Sequence, residues 1–234
     1  MTFSYRGDQL HCEDLSVQSL AKQVRTPFYC YSATAIRDRF ADYSTHFGGK
    51  DGLVCYAVKA NSNQSILRLL AAMGAGADVV SEGELKRARA AGIPAERIVF
   101  SGVGKTDHEM AFALEQGILQ FNVESEPELD RLNRVALSQG KKAPVAFRVN
   151  PDVDARTHRK ITTGKSENKF GVPASRAREI YAWAGQLDGI RIQGIDMHIG
   201  SQLTSMEPFE QAFRIMANLV QDLRADGHEI TVLD

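Results

Sequence analysis

Five residues carry the chemistry this sequence is equipped to do: Lys59, Asp78, Arg148, His198 and Ser201. Each is presented at the end of a predicted strand. The most telling is Lys59, which closes Leu53-Val54-Cys55-Tyr56-Ala57-Val58. A strand buried on both faces needs such an unbroken run, so the charge must emerge where the strand leaves the core. Taken singly, every one of the five has an ordinary explanation. Lys59 would end a strand at the surface, Asp78 and Arg148 would form an ion pair, His198 would be a satisfied core histidine, and Ser201 would cap a loop.

Taken together they are chemically coherent. A lysine whose pKa is lowered by partial burial or a nearby cation is a competent amine for Schiff-base formation with an aldehyde, notably pyridoxal 5'-phosphate, which then acts as an electron sink. The flat ring of that cofactor needs a surface to stack on, which His198 could supply. Its phosphate needs hydroxyl and backbone N–H donors, which Ser201 beside Gly200 could supply. Asp78 and Arg148 could tune the ring nitrogen and the O3' edge by charge and hydrogen bonding.

The composition suits such a small-molecule site. The chain has 234 residues, 43% of them hydrophobic, enough to bury one large α/β core. Its formal net charge of −1 and the absence of any long Lys/Arg block exclude a nucleic-acid or anionic-membrane partner. Cys12, Cys30 and Cys55 lack C-x-x-C spacing, which argues against a disulfide framework or a zinc site and suits a reducing cytoplasm. The first fifteen residues mix charge and polarity unlike a signal peptide, and no run approaches transmembrane length.

The elements that must position the five residues follow from periodicity. Residues 1–26 read as an irregular N-terminal arm ending at Thr26-Pro27, and residues 27–234 as a barrel domain. Phe28 to Tyr31 reads as a short strand, and Ser32 caps a helix over roughly residues 33–47 that Gly48-Gly49 ends. After the strand at Lys59, further strands are expected at Ala77–Val80, Arg97–Phe100, Ile118–Val123, Pro144–Val149, Ile195–Ile199 and Glu229–Leu233, making seven. Capping boxes at Ser81/Glu84, Thr106/Glu109 and Ser125/Glu128 start the helices between them. Phe209, Phe213, Met216, Val220 and Leu223 fall at helical spacing and predict a packing face.

Alternating strands and helices give a parallel sheet, either doubly wound or closed as a (β/α)8 barrel. A nucleotide-binding open sheet would show G-x-G-x-x-G, but Gly102-Val103-Gly104 is followed by Asp107 where the third glycine belongs. Polar residues at strand end after strand end favour the barrel, whose active site collects all its strand C-termini. Only seven β-α strands are visible, so the barrel is expected to be incomplete and the chain one part of a longer protein.

Several stretches, in order along nearly the whole chain, resemble the diaminopimelate decarboxylase family, in the alanine racemase-like, fold type III group of pyridoxal-phosphate enzymes. They are Tyr56-Ala57-Val58-Lys59-Ala60-Asn61, Ala77-Asp78-Val79-Val80-Ser81-Glu82-Gly83-Glu84-Leu85, Phe121-Asn122-Val123-Glu124-Ser125, Arg148-Val149-Asn150-Pro151-Asp152-Val153-Asp154-Ala155, Asn168-Lys169-Phe170-Gly171 and His198-Ile199-Gly200-Ser201-Gln202. The resemblance implies that Lys59 is the internal-aldimine lysine, that His198 lies against the pyridine ring, and that Ser201 helps hold the phosphate. Asp78 and Arg148 match positions lining the cofactor site in related decarboxylases.

The reaction so implied converts meso-diaminopimelate to L-lysine and CO2 in a cytoplasmic homodimer. The family continues past the seventh strand into a glycine-rich phosphate loop, an eighth strand and a β-rich C-terminal domain that supplies a cysteine acid across the dimer interface. None of Cys12, Cys30 or Cys55 takes that role, and Phe28 to Tyr31 would pair with the C-terminal sheet. Two alternatives stay open: another fold type III decarboxylase acting on carboxynorspermidine, arginine or ornithine, and a non-catalytic pyridoxal-phosphate-binding barrel.

Overall fold

Residues 2–47, 52–153, 170–201 and 203–234 are described by a computed structural model. The arm is not irregular. Strands β1 (Phe3–Arg6), β2 (Gln9–Cys12) and β3 (Leu15–Ser16) form an antiparallel sheet that leads into helix α1 (Val17–Gln23). The strands are joined by two-residue turns whose first residues, Gly7 and Glu13, have φ of 62° and 56°. Gly7-Asp8 is a recognisable hairpin signal, whereas a left-handed glutamate carries none.

Helix α2 (Ala33–His46) starts as expected, with the Ser32 hydroxyl accepting from the Ala35 N–H at 2.9 Å. Glu13 reinforces that start by accepting from the Ser32 hydroxyl and the Thr34 N–H. Phe28 to Tyr31, expected as a strand, forms none: no strand pairs with it among the described residues, and Tyr29 and Tyr31 stack on each other at the surface. Composition gave it strand character, but a strand exists only through a ladder. Gly48-Gly49 lie outside the described residues.

The main sheet is built from β4 (Cys55–Ala57), β5 (Gly76–Val79), β6 (Ile98–Phe100), β7 (Gln120–Val123), β8 (Ala143–Asn150), β10 (Ile190–Asp196) and β11 (Val232–Leu233). They lie side by side in that order, all parallel, and a two-residue strand, β9 (Val172–Pro173), pairs with the far end of β8. The expected seven strands are therefore present. Strand β10 sits earlier than expected, starting at Ile190, so His198 lies beyond the strand's end and not within it. Strands β4 and β11 end the series and do not pair with each other among the described residues, leaving an unclosed β/α barrel.

Helices α3 (Gln64–Ala72), α4 (Glu82–Ala90), α5 (Asp107–Gln116), α6 (Glu126–Ser138), α7 (Ala174–Ala184) and α8 (Glu207–Ala225) cover the outside of the sheet. The apolar core fills the space between, with Leu67, Leu85, Phe100, Phe121, Leu132, Phe147 and Tyr181 fully buried. The Tyr181 hydroxyl donates to the Gly194 carbonyl at 2.8 Å, tying α7 to β10. On α8 the buried stripe is Pro208, Ala212, Met216, Leu219, Val220 and Leu223, and Phe213 is 58% exposed. The expected face was one residue off at that turn: Ala212 takes the inward position, about 100° round the helix from Phe213, whose ring packs on Phe209.

The opposite side of the sheet is polar. Gln120 and Asn122 share one strand face, and Asn122 donates to the Ser101 hydroxyl at 3.1 Å and to the Asp234 carboxylate at 2.9 Å. Gln120 donates to the Asn122 side-chain carbonyl and to Asp234, while Gln193 donates to the Leu119 carbonyl. The barrel floor is thus a hydrogen-bonded layer beneath the rim of strand ends. Phe147 is the apolar counterpart on the other face, with its ring 4.8 Å from that of Tyr181. Truncating it to alanine should cost about 3–5 kcal/mol, read as a lowered midpoint in urea denaturation.

Candidate active site

Parallel strands place all their carboxy-terminal ends on one rim, and the rim is where four of the five expected residues meet. Strand β4 runs into a 3₁₀ turn, Val58–Ala60, in which Val58 is fully buried and the next residue, Lys59, is exposed. The lysine emerges where the apolar run ends, but it is open to solvent and not partly buried. Asp78 lies on β5 beside Ala57, and Arg148 on β8 beside Asp196. His198 follows two residues after β10.

These groups act on one another through their charges. His198 is exposed at the rim, yet the protein around it strips enough water to push its pKa down to about 4, with the cations of Arg148 and Lys59 acting in the same direction. The imidazole is therefore neutral at physiological pH. Burial also raises the Asp78 carboxyl above its usual range, opposed by a hydrogen bond from Ser101 and by the charge of Lys59. Asp196, buried beside Arg148, is raised well above the ordinary carboxylate range by burial and by Asp234. Ser201 is the exception: it is exposed, and among the described residues nothing ties it to the other four.

Arg148 sits in a cage that local backbone geometry builds. Its Nη1 donates to Glu124 at 3.2 Å, and its guanidinium lies 5.7 Å from the Phe170 ring centroid. Phe170 is held there because its carbonyl accepts from the Asn150 amide at 2.6 Å. Gly171, at φ +82°, lets the chain pass so near: a Cβ there would lie 2.8 Å from the Arg148 carbonyl oxygen. Gly200, at φ 137°, similarly makes the turn between His198 and Ser201 in a conformation that only glycine adopts readily.

Beneath Arg148 lies a network that the sequence did not disclose as a site. Glu124, whose side chain is 1% exposed, accepts from Arg148 through one oxygen and from the Gly102 N–H, at 2.9 Å, through the other. Its own N–H donates to Glu128 at 3.0 Å, and Glu128 accepts from the fully buried ammonium of Lys105 at 2.7 Å. Lys105 also donates to the carbonyls of Gly102 and Asn122, so its three protons are all used. Ser125/Glu128 was expected to be a reciprocal capping box. Ser125 does accept from the Glu128 N–H, but the Glu128 carboxylate reaches past it to Glu124 and Lys105. Glu84 likewise reaches the Val80 N–H, and only Thr106/Glu109 is a full box.

Of the buried polar atoms on this rim that have no hydrogen-bond partner among the described residues, two belong to the expected residues, Asp78 Oδ1 and Arg148 Nε, and a third is Asn150 Oδ1. The first is an acceptor and the second a donor. Buried polar groups are rarely left unpaired, and such a pair beside an exposed amine and a neutral imidazole fits a ligand with a polar aromatic edge. The residues missed by sequence, Ser101, Glu124 and Asp196, stand at or just past the ends of β6, β7 and β10.

The pyridoxal binding domain of the pyridoxal-dependent decarboxylases matches residues 33–234. The chain belongs to that decarboxylase family. Diaminopimelate decarboxylase of Pseudomonas aeruginosa is 50% identical over 233 residues, covering 100% of this chain and 56% of the relative. The enzyme of the same name from Helicobacter pylori, solved in complex with L-lysine, superposes with a TM-score of 0.90 at 45% identity, over 93% of this chain and 55% of that one. A third, from M. jannaschii and also in complex with L-lysine, gives 0.92 at 37% identity over 99% of this chain and 55% of that one. The chain spans about half the length of the family members it matches.

The His198 environment is directly testable. Burial is the main cause of the lowered His198 pKa and stays in place when Arg148→Met removes a cation that disfavours protonation, so the pKa should rise above about 4 but remain below the ordinary 6.5. Imidazole resonances followed by NMR against pH would show it, and an unmoved titration would break the link between the two side chains.

Proposed function

We propose that this chain is the cofactor-binding barrel of an enzyme that decarboxylates meso-diaminopimelate to L-lysine and CO2. The observation that carries the proposal is the rim: an exposed lysine amine, a neutral histidine, and an unpartnered buried acceptor and donor at Asp78 and Arg148. The substrate is inferred from the relatives, named diaminopimelate decarboxylases at 47–50% identity across the chain. A solved arginine decarboxylase, at 24% identity, supports a shared fold alone.

When bound, pyridoxal 5'-phosphate would supply an electrophilic aldehyde carbon and a ring that takes up the electron pair left on the substrate carbon as CO2 departs. The chain's part is to hold and orient. Lys59 presents its amine at the mouth of the barrel. His198, kept neutral, offers a flat ring surface without adding charge beside the two cations. Asp78 offers an acceptor and Arg148 a donor to the polar edge of the ring, while Ser201, after the turn at Gly200, offers a hydroxyl to the phosphate. None of Cys12, Cys30 or Cys55 is a candidate acid; burial pushes Cys55 up to about 12, which makes it a weak proton donor.

The division into an arm over residues 1–26 and a barrel over residues 27–234 belongs to the same proposal, as do a homodimeric whole protein and a cytoplasmic location. No helix among the described residues is long and apolar enough to cross a membrane. The anchor is tested by incubating the chain with pyridoxal phosphate, reducing with borohydride and mapping the label. It is expected on Lys59 and absent from Lys59→Ala; a label that survives the substitution refutes the assignment. The substrate is tested by CO2 release from meso-diaminopimelate, arginine and ornithine. Extended to the length of its relatives, the chain should turn over diaminopimelate alone, and a preference for arginine or ornithine would overturn the substrate.

A further inference from the structure

The rim's least expected feature is that its arginine is gripped by a carboxylate that faces no solvent. We propose that Glu124 is the positioning residue of the site, fixing the Arg148 guanidinium so that its free Nε–H faces the bound ligand, with the Lys105–Glu128 pair as the immobile base behind it. This rests on the proposed cofactor role of the rim and adds a residue to it.

Three observations carry the inference. Glu124 is held at both ends: its carboxylate accepts from the Gly102 N–H on the neighbouring βα turn, and its N–H donates to Glu128, leaving the second carboxylate oxygen for Arg148. The side chain is 1% exposed, so the carboxylate cannot swing away to water without leaving Arg148 unpaired. Arg148 in turn is only 12% exposed, is bounded on another side by the Phe170 ring, and keeps its buried Nε–H without a partner. A guanidinium is a rigid planar fork, so fixing one arm fixes the direction of the others. The grip on Nη1 therefore sets where the unused Nε–H points.

Positioning differs from mere support in what it predicts. Glu124→Gln keeps the shape and leaves one acceptor, which the Gly102 N–H retains, but it loses the charge that holds Arg148. The bound cofactor should then remain attached through Lys59 while losing its fixed orientation. Visible circular dichroism per bound pyridoxal phosphate reads that orientation, and it should fall by roughly half or more in Glu124→Gln and in Arg148→Met.

The double variant should be no worse than Arg148→Met alone, since Glu124 acts through the arginine. An undiminished signal in Glu124→Gln, or additive losses in the double variant, overturns the proposal. Should Glu124→Gln fail to fold by far-UV circular dichroism, Glu124→Asp, which keeps the charge but shortens the reach, carries the same comparison. A second readout needs no cofactor. The Arg148 Nε–H resonance in the free chain, assigned by its loss in Arg148→Met, should show a rigid heteronuclear NOE that Glu124→Gln averages away; an unchanged NOE counts against the grip. If the chain takes no label at Lys59, the cofactor reading fails while this measurement still decides whether Glu124 places the arginine.

Discussion

A fully buried ammonium decides the shape of the rim. Lys105 has nowhere to send its charge except into Glu128 and the carbonyls of Gly102 and Asn122, and with its three protons so used it draws the β6–α5 turn, the end of β7 and the start of α6 to one point. The Phe100 ring, 5.6 Å away, closes the remaining side. A buried ion pair contributes little net stability against an apolar replacement, but stranding one partner costs about 3–5 kcal/mol. That asymmetry gives the network its structural force: the arrangement is hard to deform without exposing an unmatched charge.

Above this base, one physical cause acts on the site in opposite directions. Loss of water raises Asp78 and Asp196 and lowers His198, in each case toward the uncharged form. The stability consequences have opposite signs along the pH axis. An unfolded chain would ionise Asp196 as pH rises past 3.8 while the folded chain resists, so the folded state loses stability upward from there. For His198 the unfolded chain takes up a proton as pH falls below 6.5 and the folded chain waits until about 4, so stability is lost downward across that window. A fold selected for stability alone would keep neither group where it is.

Much of this was visible in the sequence, for a reason particular to parallel barrels. Strands that fill a parallel sheet are largely apolar, so a charged residue in or just past one draws attention to the rim. Lys59 directly follows its apolar run, Asp78 and Arg148 interrupt theirs between Ala77 and Val79 and between Phe147 and Val149, and the helix starts at Ser32, Ser81, Thr106 and Ser125 could be read from their caps. What stayed hidden depended on partners distant in sequence. Glu128 satisfied a local capping pattern so well that its second role, toward Lys105 from a different βα unit, left no local trace. The arm was missed because one of its two turns uses Glu13 in a conformation usually reserved for glycine, and Phe28 to Tyr31 misled because strand composition does not supply a strand's neighbour.

The two caps that departed from the reciprocal pattern change how the rim moves. Where Glu84 accepts from the Val80 N–H and Glu128 from the Glu124 N–H, the helix's third residue bonds an amide that has already left the strand ladder. Turns that present functional groups are ordinarily the first parts of a fold to open and exchange their amide hydrogens. At these two turns the first amide past the strand is held by the helix that follows it. The side chains carried there, Glu124 among them, take on the stiffness of the barrel wall in place of the mobility of a loop.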